Sequence, residues 1–498
     1  MLMRTPARRR IAIAILALGG QGGGVLADWI LSVAEANGFR AQGTSVPGVA
    51  QRTGATVYYI ELFPDEGGAE PVLALMPLPG DVDIVIASEL MEAGRAILRG
   101  FVSKERTTLI GSTHRVFAID EKSAMSDGRA SGDRILAAAG ERAKRFIGLD
   151  MDEAASRSGS VISSVMFGAL AASEALPFPR EAFEAAIRAA GKAVKSNLAG
   201  FAAGFDGAGG VAALPAETVA PAPQPTTAAG RRLLTRIEAE LPERAHGFAL
   251  EGARRLTDYQ DAGYADLYLD RLAGVQAVDR LGGELTREAA RHLALWMSYE
   301  DTIRVADLKV RGSRFARVRG EVRAEPDQVI ALTDYMHPRF QEVCETLPAG
   351  IGRRLMASER ARRWLAPFFR KGRHIRITQL RWFLLLSLLA GFRRFRRGTL
   401  RYAEEQARIA AWLERAIATA PSDPDAALEV VRCQRLIKGY SDTFERGLRN
   451  FARIMAAHDG MRGQPGAAET LRRLREAALA DEHGKALDAA LAELRLAS

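Results

Sequence analysis

Residues 11–37 read IAIAILALGGQGGGVLADWILSVAEAN, and this stretch decides the fold. Ile11 to Leu18 is a continuous apolar run, far short of the ~20 residues a membrane helix needs and suited to a strand buried on both faces of a parallel sheet. Gly19-Gly20-Gln21-Gly22-Gly23-Gly24 follows, and a helix is expected from Val25 to Asn37. Strand, glycine turn and helix form a layout that binds phosphate: glycines admit close backbone approach, and a helix N-terminus offers unpaired N–H groups. Gly20, Gln21, Gly22 and Gly23 are therefore the candidate cofactor-binding residues. Gly20 and Gly22 match the first two glycines of GxGxxG, but the third falls on Val25. Tight strand–helix packing explains the same glycines without a ligand, so both readings stand. Arg8-Arg9-Arg10 before the apolar run imitates a signal peptide, yet glycines follow rather than a small-x-small cleavage site.

Working outward, residues 9 to about 212 alternate between strand and helix. Strands are expected at Ile11–Leu18, Thr56–Leu62, Val82–Ala87 and Thr107–Gly111, with a weaker one at Val116–Ile119. Helices are expected at Val25–Asn37, Glu89–Arg99, Asp133–Ala139, Val161–Leu176 and Arg180–Phe201. That alternation predicts an α/β N-terminal domain with a mainly parallel sheet over residues 1–214. Pro215–Gly230 (PAETVAPAPQPTTAAG) carries one charge and no core-forming pattern, which predicts an extended linker. Residues 231–498 predict a mostly α-helical domain, with three- and four-residue apolar spacing in Val329–Thr346, Leu400–Thr419 and Ala467–Leu496. Asp423 before Pro424 is a helix-start signal.

Composition removes several functional classes. The 498 residues carry 69 Lys and Arg against 60 Asp and Glu, a formal charge of +9 that permits an anionic partner without naming one. The mean hydropathy of −0.07 argues against a multi-span membrane protein. Cys344 and Cys433 are the only cysteines. A cubane iron–sulfur cluster needs about four thiolates and a structural zinc about four Cys or His ligands, so this chain alone holds neither. The shortage also excludes a disulfide framework and fits a reducing, cytoplasmic setting. The seven histidines show no HxxxH or HExxH spacing, so no metal site is expected. Only His114, in STHRV after an expected strand, merits a test.

A second loop, Gly43 to Gly54, has Pro47 and Gly48 to shape it and one guanidinium, Arg52, whose fork suits a carboxylate or phosphate. A solvated arginine is the simpler account of it.

Several segments together resemble the gamma-type domain of the 2-oxoacid:ferredoxin oxidoreductases. They are LALGGQGGGVLADWIL, TSVPGVAQRTGATVYYIE, VIASELMEAGRA, STHRVFAIDEKSAMSDG and GKAVKSNLAGFAAGFD, in that order across about residues 9–210. The likeness is strongest to the beta subunit of indolepyruvate ferredoxin oxidoreductase. SYEDTIRVADLK, HPRFQEVCETLP and RWFLLLSLLAGFRRFRRGTLRYAEEQARIAAWLE are similar to a helical extension in long members of that subfamily.

The resemblance implies oxidative decarboxylation of a 2-oxoacid with coenzyme A, giving acyl-CoA, carbon dioxide and reduced ferredoxin. Such chemistry needs thiamine diphosphate and iron–sulfur clusters. The family's GDG segment and paired Asn for thiamine diphosphate are missing, as are the cluster cysteines. The resemblance therefore implies an accessory subunit, with no catalytic residues of its own and no cofactor bound alone. A large alpha subunit would carry thiamine diphosphate and the clusters, with ferredoxin or a similar acceptor as a further partner. Gly20, Gln21, Gly22 and Gly23 would approach a phosphate of coenzyme A or the partner backbone. Gln51 and Arg52 would meet the substrate carboxylate or the partner, though Thr53 stands where a double glycine is expected. Ser88 and Glu89 would sit at a strand end where functional loops lie, Glu89 as a helix-start residue or interface ion pair.

Between Arg353 and Arg401 fifteen residues are Arg or Lys and Glu359 is the sole acid, with Trp364, Phe368, Trp382 and Phe395 among them. Aromatics at helical spacing read first as core with arginines spread over it. Docking of an acidic protein or of coenzyme A comes next, then an anionic membrane surface, and nucleic acid is set aside. The alternative to the accessory-subunit reading is a stand-alone nucleotide- or CoA-binding protein whose helical half recruits partners. An NAD-dependent dehydrogenase is disfavoured, because Ala41, Gln42, Gly43 and Thr44 lie where an acidic ribose ligand is expected.

Overall fold

A computed structural model of the chain describes residues 10–46, 56–65, 71–117, 121, 131–209, 224–322, 324–337, 339–369, 371–439, 441–481 and 483–497. It divides into two units, Met1–Ala220 and Pro221–Ser498.

The first unit runs β1 (Ile11–Ala17), α1 (Gly23–Ala36), β2 (Phe39–Val46), β3 (Thr56–Pro64), β4 (Ile84–Ala87), α2 (Leu90–Leu98), β5 (Thr108–Ser112), α3 (Gly132–Arg142), β6 (Arg145–Leu149), α4 (Met151–Ser158), α5 (Ile162–Ala172), α6 (Arg180–Ala190) and α7 (Val194–Gly207). The sheet order is β2-β3-β1-β4-β5-β6. β1, β4, β5 and β6 are parallel, and β3 pairs antiparallel with both β1 and β2.

The apolar run of β1 is explained by burial on both faces. Ile13, Ile15 and Ala17 enter the core beneath α1 and α4 to α7, whereas Ala14 and Leu16 enter the core beneath α2 and α3. β4 repeats the pattern with Ile84 and Ile86 on one side and Val85 on the other. This two-residue period sorts an unbroken apolar string into two layers.

The expected α/β class with a mainly parallel sheet is observed, but several elements differ. β2 was not foreseen, because FRAQGTSV is a half-exposed edge strand without apolar alternation. β6 was also missed, its five residues beginning with an exposed Arg145. Val116 and Phe117 are not strand, and residues 118–119 lie outside the described residues. The expected helix Arg180–Phe201 is two helices, because Gly191 (φ 69°) and Ala193 (φ 47°) turn left-handed between them.

At the edge where β1 begins, charges pin the strands. Glu61 is buried and accepts from Arg10 Nη1 (2.7 Å), the Tyr59 hydroxyl (2.7 Å) and the Ala74 N–H (2.6 Å). Asp83 accepts from Arg106 Nε (2.7 Å) and the Ala12 N–H (2.9 Å).

The second unit is mostly helical, as expected. Its elements are α8 (Ala228–Glu240), α9 (Glu243–Tyr259), α10 (Ala262–Gln276), α11 (Glu284–Met297), α12 (Thr302–Val310), α13 (Gly312–Glu321), β7 (Thr333–Met336), α14 (Phe340–Thr346), α15 (Ala349–Ala357), α16 (Glu359–Phe369), β8 (Arg373–Arg376), α17 (Leu380–Gly391), α18 (Leu400–Thr419), α19 (Pro424–Arg432), α20 (Ser441–Gly460), α21 (Ala467–Ala480) and α22 (Lys485–Ala497). Short 3-10 helices cover Phe392–Gly398 and Cys433–Leu436. Asp423 caps α19, accepting from the Ala426 N–H at 2.9 Å. Val329–Thr346 is not one helix: Thr333–Met336 pairs antiparallel with Arg373–Arg376, and Pro338 in the sequence disfavours helix just before it. Ala467–Leu496 breaks at Gly484 (φ 80°) into α21 and α22. The expected linker already turns helical at Ala228, capped by Thr227.

Candidate functional site

The chain leaves β1 toward β2 and β3 on one side, and leaves β4 toward β5 and β6 on the other. In open α/β sheets the crevice beyond the strand ends at such a reversal is where ligands bind. The glycine turn after β1 and Ser88-Glu89 after β4 flank that crevice. Thr56, which opens β3, pairs with Ala17, and Val46, which ends β2, pairs with Val57. The described residues on either side of 47–55 therefore stand at this same edge. Gln51 and Arg52 themselves lie outside the described residues.

The glycines have separate duties. Gly20 (φ 88°) and Gly22 (φ 72°) are left-handed, and Gly22 is the N-cap of α1 with no side-chain cap. A Cβ on Gly23 would lie 2.5 Å from Tyr58 Cε2 and 2.7 Å from Ala17 Cβ, so α1 packs on the sheet through that residue. A Cβ on Gly22 would meet Ser163 Oγ at 2.8 Å. Beside Gly19 and Gly20 the space is open. A side chain is thus excluded at Gly22 and Gly23, whereas Gly19 and Gly20 are exposed.

Gln21 turns back into the protein. Its Oε1 accepts from the Leu18 N–H at 3.2 Å and from the Ser88 hydroxyl, which ties the glycine turn to the end of β4. Ser88 is fully buried, and its own N–H bonds Leu16 O at 3.0 Å. These two candidates are brought together across the crevice, where they hold its floor. Glu89 is 1% exposed and caps α2, accepting from the Glu92 N–H at 2.8 Å and the Val116 N–H at 3.4 Å. Burial pushes its carboxyl above the usual range, and those N–H donors oppose the shift. Glu92 is likewise raised by burial, with Arg95 paired to it.

His114 also lies at this edge, after β5. Its Nδ1 is 2.6 Å from Ser112 Oγ, and Ser112 Oγ accepts from the Met151 N–H at 3.0 Å. Its carbonyl receives the Leu90 N–H at 3.1 Å. His114 therefore links β5, α2 and α4. The Gln21–Ser88 and Ser112–His114 contacts have no signal in the sequence beyond strand-end position.

The cysteines do not fit a cluster. Both are buried thiols, Cys344 in α14 and Cys433 in a 3-10 turn, and burial pushes Cys433 up to about 12 and Cys344 upward. A thiol held so far toward its protonated form is a poor metal ligand. Among the described residues no three His, Cys, Asp or Glu side chains gather as a metal site, and no helix is long and apolar enough to cross a membrane.

Part of the basic stretch belongs to the interior. Arg396 is 1% exposed, 2.7 Å from Asp301 and over the Tyr259 ring at 4.1 Å. Arg401 pairs with Glu345 (2.9 Å) and Glu405 (3.0 Å). Outside, Leu380, Leu384, Leu388 and Trp364 are exposed.

Residues 12–207 match the family described as pyruvate ferredoxin/flavodoxin oxidoreductase, and residues 246–457 match a family of unknown function, DUF6537. No curated protein sequence matches the chain. Among solved structures it is similar to pyruvate oxidoreductase subunit PORC of Thermotoga maritima, at 18% identity and a TM-score of 0.28, covering 40% of this chain and 97% of that one. It is similar to the gamma subunit of a keto/oxoacid ferredoxin oxidoreductase of Geobacter sulfurreducens PCA, at 16% identity and a TM-score of 0.27, covering 40% and 97%. It also matches 2-oxoglutarate:ferredoxin oxidoreductase of Magnetococcus marinus, at 15% identity and a TM-score of 0.29, with 40% of this chain and 31% of that one covered. The chain thus joins a region similar to the pyruvate ferredoxin/flavodoxin oxidoreductase family, residues 12–207, to a region similar to a family of unknown function, residues 246–457.

Proposed function

We propose that the chain is the accessory, beta-type subunit of an arylpyruvate:ferredoxin oxidoreductase of the indolepyruvate kind. It completes an active site whose thiamine diphosphate and iron–sulfur clusters reside on a large partner. The observation that carries this reading is a domain of an electron-transferring family in a chain with two isolated, buried thiols. When bound on the partner, thiamine diphosphate supplies the carbanion chemistry and the clusters carry the electrons. This chain contributes a wall. The backbone of Gly19 and Gly20 faces open space beside the β1/β4 crevice, suited to a phosphate of coenzyme A or to the partner's backbone. Gln21 and Ser88 hold that wall in place, and Arg52 supplies the guanidinium for the substrate carboxylate.

The purified chain tests the division of labour. It should carry no thiamine diphosphate and no visible iron–sulfur absorbance; either one would defeat the reading. In the assembled enzyme, Arg52→Ala should lower arylpyruvate turnover by about tenfold or more, as expected for losing one charge-assisted contact, with subunit association unchanged. Unaltered kinetics would reduce Arg52 to a surface charge.

A further inference from the structure

Between α9, α11, α18 and the 3-10 turn Cys433–Leu436 lies a cavity of about 550 Å³, within the ~300–1,000 Å³ of small-molecule sites. Its charged lining is lopsided: seven Arg or Lys side chains against Glu288 and Glu300. Three of the seven are already neutralised. Arg432 and Arg475 each reach the buried Glu429 at 2.9 Å, and Arg401 is held by Glu345 and Glu405.

Arg255, Arg291 and Arg435 form no ion pair among the described residues. Arg255 instead donates to the Ser298 hydroxyl at 2.5 Å, and Arg291 lies over the Phe248 ring at 5.7 Å. Lys438 stands close to Arg435, and burial together with that neighbouring charge pushes its ammonium below the usual lysine range. The Nε–H of Arg401 is buried without an acceptor among the described residues. Like charges gathered around a cavity repel one another, and a bound anion removes that repulsion while giving the donors acceptors.

A second cavity, of about 900 Å³, adjoins the first and shares Glu300, Arg401, Gly439 and Phe444 with it. Its remaining wall is mainly apolar, with Leu308, Met336, Ile375, Trp382 and Leu389. One carboxylate carries a single charge, whereas a phosphate monoester carries about −1.5 to −2 and three acceptor oxygens. The second matches three guanidinium groups that form no ion pair among the described residues.

We propose that the two adjoining cavities bind one phosphorylated amphiphile, with its phosphate among Arg255, Arg291 and Arg435 and its acyl or aryl group in the apolar cavity. The site lies wholly within the second unit and does not depend on the oxidoreductase reading. Nucleotide-borne and alkyl-borne phosphates share this chemistry.

Calorimetry on the full chain at low ionic strength tests it with hexanoyl-coenzyme A, hexyl phosphate and hexanoate. At least one phosphate probe should bind saturably, and hexanoate about tenfold or more weaker. Tighter hexanoyl-coenzyme A supports the proposal with a nucleotide-type head; tighter hexyl phosphate supports it with a lipid-type head. Arg435→Gln and Arg255→Gln should each weaken the better probe by about tenfold, the loss of one charge-assisted contact. Circular dichroism and the unliganded melting temperature identify variants that keep their fold. No saturable binding of either phosphate probe, equal binding of hexanoate, or unchanged affinity in folded variants would overturn the proposal.

Discussion

Gly23 shows how little room is left where β1 hands over to α1. A methyl group there would have to displace the Tyr58 ring and Ala17 together. Gly23→Ala should destabilise the first unit by ~1–3 kcal/mol, the usual range for overpacking. Gly19→Ala meets nothing within 4 Å and should stay within ~0.5 kcal/mol of the parent. Urea midpoints of the two variants give the comparison, and equal losses would mean that the turn rather than the packing is constrained. Glu89 sets a pH dependence of definite sign. Its folded-state carboxyl is raised, so the folded chain holds that proton more tightly than the unfolded chain does. Its contribution is complete below the unfolded carboxylate range and declines as pH rises through the raised folded value. Glu89→Gln keeps the amide acceptor for the Glu92 N–H and removes the charge, so stability should vary less from weakly acidic to neutral pH. An identical slope in the variant would refute this. At this scale the sequence was informative about backbone and silent about partners. The glycine turn was legible because glycine types signal a turn directly, whereas Gln21 meeting Ser88 requires the β1–β4 pairing to be known first.

Helices α5 and α7 cross where two glycines, Gly168 and Gly204, remove the side chains. A Cβ on Gly168 would lie 1.9 Å from Phe201 O, and one on Gly204 would lie 2.0 Å from Val165 O. Both clashes are with backbone, which cannot rotate away as a side chain can. Gly204→Ala should therefore destabilise the unit by about 3 kcal/mol or more, at the upper end for a small-to-large change. A thermal midpoint equal to the parent's would show that the helices are free to part. Elements with an internal period were legible: β1 from its apolar string, and Leu400–Thr419 from its three- and four-residue spacing, which matches α18 residue for residue. Elements defined by pairing were not. β2 is half-exposed, and β7 exists through β8, whose first residue lies 37 positions after Met336 (373 − 336). Helix breaks at Gly191 and Gly484 were legible in principle, since each glycine is left-handed, but the apolar spacing on either side masked them.

The molecule as a whole contains two compact units: residues from Ile13 to Ala208 build a hydrophobic core in the first, and a cluster around Ala306, Ile375, Ile377 and Leu386 lies in the second. Limited proteolysis should first cut between the end of α7 at Gly207 and the start of α8 at Ala228, leaving two resistant fragments. Early cuts inside either unit would argue against that division. Not every basic residue adds to the surface charge, because Arg396 is buried against Asp301 and Arg401 is held by Glu345 and Glu405. Net charge alone could not have said which arginines face solvent. The central claim, that this chain completes a catalytic centre carried by another polypeptide, has one direct measurement: arylpyruvate- and CoA-dependent viologen reduction by the large cluster-bearing subunit, purified with and without this chain. The account predicts a stable complex with activity that falls to background when the chain is omitted. A large subunit equally active by itself would contradict it.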